Sequence, residues 1–103
     1  MDSLELILKR MAIGRKRYGH GVRPLDDTTQ WGTRENSWLE MTQEEVIDAI
    51  IYTCADYIRK EKIKYDEDAN ELILRFILNP ELMKTRFHTT LLKSLQEILK
   101  VIV

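Results

Sequence analysis

The sequence predicts an all-α protein, a bundle of about four helices in a single domain over residues 1–103. In four segments, apolar residues recur at the three- and four-residue spacing of an amphipathic helix. No segment alternates polar and apolar residues in the way of a half-buried strand. These two observations predict a bundle whose helices cover residues 3–18, 37–60, 67–78 and 80–102.

The first predicted helix begins at a cap and ends in a basic cluster. Asp2 or Ser3 can cap it, and Glu5 stands three residues after Asp2, as in a capping box. The apolar side, which we expect to pack on the bundle, consists of Leu4, Ile7, Leu8, Met11 and Ala12. The basic cluster consists of Arg15, Lys16 and Arg17. It either complements the negative end of the helix dipole or contacts phosphate.

Residues 18–36 are predicted to form a long loop, because they contain three glycines, one proline and no sustained periodicity of apolar residues. A connection of this length is uncommon in a compact domain and is more often functional or mobile. Its candidate ligand-binding side chains are His20, Arg23, Trp31 and Arg34. The alternative for Trp31 is a plug that holds the loop on the core.

The central predicted helix has an acidic face. Glu40, Glu44 and Asp48 recur every four residues and therefore lie on one stripe, with Glu45 at its edge. Such a face is either a solvated surface or a site for a hard divalent cation, which prefers carboxylate oxygens. The spacing alone leaves both alternatives open.

The last two predicted helices meet at Asn79-Pro80, where a capping residue precedes a proline that suits a first helical turn. The expected apolar side of the fourth helix consists of Met83, Phe87, Leu91, Leu92, Leu95, Ile98, Leu99 and Ile102. The final segment, residues 99–103, contains only one polar residue. Because an exposed apolar strip usually finds a partner, we expect a homodimer or homotetramer.

Composition argues against several classes of protein. The formal net charge of −1 gives no whole-molecule attraction to nucleic acid or to an anionic membrane. The single cysteine, Cys54, cannot form an internal disulfide. No cleavable signal sequence is evident, and no apolar run approaches the ~18 residues that span a bilayer. We therefore expect a cytoplasmic protein without a membrane partner.

The segment EEVIDAIIY, residues 44–52, resembles the Glu-Glu-x-x-Asp helix of the MazG-like all-α nucleoside triphosphate pyrophosphohydrolases. Residues 36–40 and 17–19 are similar to short phage-encoded proteins grouped with that superfamily, and the resemblance covers about residues 10–59. It implies a bundle that assembles as dimers or tetramers. It also implies a Mg²⁺-dependent enzyme, with Mn²⁺ as an alternative, that splits a nucleoside triphosphate into monophosphate and pyrophosphate. A phage-encoded member would act in the host cytoplasm.

The resemblance also implies roles for individual residues. Glu44, Glu45 and Asp48 match the family's acidic motif and would bind the metal. The other roles are hypotheses from charge and position, and in them Glu40 or Glu44 would orient or deprotonate the attacking water. The substrate-binding candidates are Arg15, Lys16, Arg17, Arg23, Trp31 and Trp38. The family's second motif, Glu-Glu-x-x-Glu on an earlier helix, is not matched, since that helix offers only Glu5. Further ligands would have to come from residues 66–71, from the loop or from another subunit.

Two other functions stay open on the sequence. A non-enzymatic helical module, as a phage protein could be, would bind a protein partner through its acidic face and apolar C-terminal helix. Nucleic-acid binding would depend on the basic cluster alone, so the composition gives it the least support.

Overall fold

The computed structural model describes residues 2–103, which form four α-helices and two short 3₁₀ helices. The α-helices are α1 (Ser3–Tyr18), α2 (Trp38–Lys60), α3 (Asn70–Leu78) and α4 (Arg86–Ile102), and the 3₁₀ helices are Thr28–Trp31 and Pro80–Leu82. No strand occurs within the described range, so the predicted all-α class is confirmed. None of the helices in residues 2–103 is long and apolar enough to cross a membrane.

The core is built on one face of α2. Its buried apolar side chains are Ile50, Cys54, Tyr57 and Ile58. Met83, Phe76 of α3 and Leu92 of α4 complete the buried cluster, and the rings of Tyr57 and Phe76 meet edge to face at 5.2 Å. Burial raises the pKa of the Cys54 thiol to about 11, so this cysteine is an unreactive core residue.

Helix α1 has the predicted bounds but not the predicted packing. The Asp2 carboxylate accepts the N–H of Glu5 at 2.8 Å, and Gly19 ends the helix in the left-handed conformation at φ 79°. None of the residues of α1 is buried, and its apolar side chains are about half exposed or more. The expectation that this helix packs on the bundle is therefore wrong for the single chain. Periodicity identifies an apolar face but does not say what covers it.

The fourth α-helix begins at Arg86, six residues after the predicted start at Pro80. Pro80 instead opens a single 3₁₀ turn, and Met83 continues in an extended conformation with its side chain buried. The Tyr57 hydroxyl accepts the N–H of Lys84 at 2.9 Å, so this N–H does not form a backbone hydrogen bond within a helix. Burial of Met83 and this bond to α2 together outweigh the favourable Asn-Pro start.

The third helix also begins later than expected, at Asn70 rather than residue 67. The Asp68 side chain accepts the N–H of Asn70 at 3.0 Å, so it holds the turn before the helix. Two side-chain amides join α4 to its neighbours: the Gln96 amide of α4 donates to the Ile77 carbonyl of α3 at 2.9 Å, and the Gln43 amide of α2 donates to the Ile102 carbonyl of α4.

Candidate functional site

The long loop is an ordered structure closed around Thr28, whose side chain is fully buried. The Thr28 hydroxyl accepts the N–H of Ser37 at 2.8 Å and lies 2.8 Å from the Thr33 hydroxyl. The Thr28 N–H donates to the Asn36 side chain at 3.0 Å. These bonds join the 3₁₀ turn of the loop to the two residues that precede α2. The sequence showed the length of this loop but not the bonds that fix it.

Glu40 holds the same loop from the other side. One of its carboxylate oxygens accepts the N–H of Arg34 at 2.5 Å, and the other accepts the N–H of Glu35 at 3.0 Å. The two backbone hydrogen bonds lower the pKa of Glu40, because they stabilise the charged form. Ser37 caps α2 by accepting the N–H of Glu40 at 3.1 Å, so the helix begins within one residue of its predicted start at residue 37. Glu40 thus clamps the loop.

The two tryptophans meet where the loop joins α2. Their ring centroids lie 5.6 Å apart with the planes tilted by 38°. The Trp38 indole N–H donates to the Pro24 carbonyl at 2.9 Å, so this ring is fixed. Trp31 is 48% exposed and therefore still offers surface to a ligand. Two of the predicted substrate-binding residues are accordingly brought together.

The other acidic residues of the α2 stripe are not engaged within the described chain. Glu44 and Glu45 are exposed and Asp48 is half-buried. No salt bridge or side-chain hydrogen bond of residues 2–103 includes any of these three side chains. They are neighbours by helical spacing, yet the described residues contain no group of three or more acidic, histidine or cysteine side chains placed to hold a metal ion.

The predicted basic residues lie on α1 and in the loop after it. Arg15, Lys16 and Arg17 occupy the last turn of α1, and no salt bridge in the described chain involves them. Arg23 is different, because its Nε donates to the Asp26 carboxylate at 3.0 Å. The His20 Nδ1 lies 2.6 Å from the Gly21 carbonyl, which is a local turn contact. Among residues 2–103, no salt bridge joins the basic cluster to the acidic stripe.

A chain of polar contacts between α2 and α4, centred on the buried His88, was not predicted from the sequence. His88 is 4% exposed, its Nε2 lies 2.7 Å from the Asp56 carboxylate, and its Nδ1 lies 2.5 Å from the Thr85 hydroxyl. Lys60 forms a salt bridge with the same carboxylate at 3.1 Å. The hydrogen bonds from His88 and Lys60 lower the pKa of Asp56. Thr85 and His88 have the three-residue spacing of a capping box, and this spacing was the signal in the sequence that could have indicated their contact.

The geometry thus defines a small all-α protein whose central helix carries a clamped loop at one end and an unpaired acidic stripe along its side. No protein-family model matches the chain, and neither does any curated protein or solved structure.

Proposed function

We propose that this protein is a Mg²⁺-dependent nucleoside triphosphate pyrophosphohydrolase of the MazG-like kind. The observation that carries the proposal is the unpaired state of Glu44, Glu45 and Asp48. Carboxylates that are adjacent on a helix repel one another when nothing neutralises them. A bound divalent cation would remove that repulsion.

The donor chemistry suits magnesium although the described residues form no closed cage. Mg²⁺ is usually held by one or two carboxylates and keeps waters and substrate phosphates in its other positions. Glu45 and Asp48 would be those carboxylates. When bound, the cation would neutralise developing charge on the triphosphate. An open site of this kind is completed by substrate.

The remaining roles follow from which side chains are already engaged. Since Glu40 clamps the loop, Glu44 is the better candidate to orient the water that adds across the α–β phosphoanhydride. Arg15, Lys16 and Arg17 would balance phosphate charge, with Arg23 contributing if it exchanges Asp26 for phosphate. The exposed face of Trp31, supported by Trp38, would stack on the base.

Replacement of the half-buried carboxylate tests this proposal. Asp48→Asn keeps the size of the side chain but removes its charge, so Mg²⁺-dependent release of pyrophosphate from deoxynucleoside triphosphates should be lost. Glu61→Gln, at the exposed C-cap of α2 and more than three helical turns beyond Asp48, is the matched control and should retain activity. Undiminished release by Asp48→Asn would refute the assignment.

The second candidate is a non-enzymatic helical module, and the exposure of α1 specifically favours it. An apolar helix that is uncovered in the single chain is typical of a segment that binds another protein. Thermal unfolding with and without Mg²⁺ or Mn²⁺ separates the candidates, because a ligand that binds only the folded state raises its stability. The enzyme predicts a higher Tm with metal and nucleotide together, and the module predicts no change.

A further inference from the structure

The single chain exposes far more surface than a compact protein of its mass. Its accessible surface is 8575 Å² at 12.2 kDa, whereas a compact monomer of that mass exposes roughly 6,100 Å². Its radius of gyration is 16.6 Å, against about 13 Å for a compact domain of this length. The excess of roughly 2,500 Å² is what one subunit buries in a large obligate dimer, whose interfaces cover about 2,000–5,000 Å² in total.

Much of this excess lies on α1. Leu4, Ile7, Leu8 and Met11 lie on one side of the helix and are each 55–61% exposed. Around them the helix is basic, with five lysine and arginine residues against the single acidic Glu5. The helix is therefore cationic and amphipathic, and its apolar side is exposed to solvent in the single chain.

A groove of complementary character lies between α2 and the last two helices. It encloses about 1150 Å³, and its apolar lining consists of Ile47, Ile50, Ile51, Ile77, Leu99 and Val103. Two lysines at the α4 side, Lys93 and Lys100, are paired with Glu81 and Glu97. On the α2 side, the charges of Glu44 and Asp48 are not paired with a basic side chain among residues 2–103.

The uncompensated side of the groove is the acidic stripe. Glu44 lies three residues before Ile47, and Asp48 three residues before Ile51, so each carboxylate stands beside an isoleucine that lines the groove. A helix seated on these isoleucines would thus bring its polar edge to unpaired carboxylates. A helix that binds there must therefore carry basic side chains along the edge that faces Glu44 and Asp48.

We propose that α1 of a second copy of this chain occupies the groove, and that the exchange is reciprocal. One chain carries both halves of the contact, a basic apolar helix and an acid-edged apolar groove, so two copies can satisfy each other in a closed two-fold dimer. Within one chain α1 has no buried residue and does not line the groove, while Thr28 and Glu40 fix the loop after it to the start of α2. The inference does not depend on pyrophosphohydrolase activity, because the basic side chains of the second copy would balance Glu44 and Asp48 whether or not a cation also binds the stripe.

Measurement of molar mass against concentration tests the apolar half of the contact. The wild-type chain should have twice the 12.2 kDa monomer mass at micromolar concentration. Leu8→Glu should raise the dissociation constant at least ~10-fold, since it places a charge in the apolar contact. It should still fold, because Leu8 contacts no core. Leu25→Glu, at a loop leucine that is 98% exposed, is the matched control and should leave the mass unchanged.

Charge reversal tests the polar half and the identity of the partner. Arg15→Glu with Lys16→Glu should weaken the dimer, and so should Glu44→Lys with Asp48→Lys. All four substitutions in one chain should restore it, because both sides of the contact are then reversed. A monomeric wild type, or a combined variant weaker than either parent, would overturn the proposal. Because the readout is mass, loss of catalysis by the α2 variants does not affect it.

Discussion

At the scale of single residues, Glu40 has the best-defined task. It joins two backbone amides of the loop to the first turn of α2 through both carboxylate oxygens. Its position on the acidic stripe was predictable, but the task was not, because the partners are backbone groups that sequence spacing does not reveal. The stripe therefore divides into a clamp, Glu40, and three carboxylates that no described residue pairs.

Glu40→Gln should loosen the loop locally. The amide retains one acceptor oxygen in place of two and has no charge, so one of the N–H groups of Arg34 and Glu35 loses its acceptor. Hydrogen exchange at these two amides should become several-fold faster. Glu45→Gln, at an exposed position without partners, should leave both rates unchanged. Equal protection in the two variants would show that the loop does not need the clamp.

The Asp56 carboxylate should make the stability of the fold depend on pH. Its pKa is lowered in the folded chain, first by the hydrogen bond from His88 and then by that from Lys60. A group with a depressed folded pKa stabilises the protein above its unfolded pKa, near 3.8, and that contribution is lost as the pH falls through the lower folded value. Acid unfolding of the wild type should therefore be steeper below about pH 4 than that of Asp56→Asn. Circular dichroism against pH measures this, and identical slopes would contradict it.

At the scale of elements, α2 and α4 form the contact on which the fold depends. Leu92 is fully buried against the face of α2 that carries Cys54. Leu92→Ala should lower the free energy of unfolding by about 2–5 kcal/mol, because it removes buried methyl groups and leaves a cavity. Leu74→Ala in α3, at a side chain that is 55% exposed, should cost much less. Urea denaturation of both variants gives the comparison, and similar losses would mean that Leu92 is not central.

The elements also show how far a sequence can be interpreted. The bounds of α1 and α2 were predicted within a residue, because caps and helical periodicity are local signals. The late starts of α3 and α4 were not predicted. The start of α4 depends on a contact distant in sequence, since Tyr57 of α2 accepts the N–H of Lys84. The exposure of Phe87, at 64%, was missed for a similar reason. With α4 beginning at Arg86, Phe87 lies in its first turn, outside the buried face that contains Leu92.

At the scale of the whole molecule, the excess surface links folding to association. If α1 is covered only by a second copy, unfolding of the dimer releases two chains, and mass action then makes stability depend on concentration. Each tenfold increase in protein should add about 1.4 kcal/mol per dimer, which raises Tm by a few degrees for a chain of this size.

Leu8→Glu provides the comparison for that prediction, because it should separate the copies without disturbing the core. Its Tm should be lower than that of the wild type and should not vary with concentration, as expected for a monomer that unfolds alone. Calorimetry over a hundredfold range of concentration distinguishes the two forms. A wild-type Tm that stays constant over this range would mean that α1 is uncovered in solution, and that the large exposed surface belongs to the free chain.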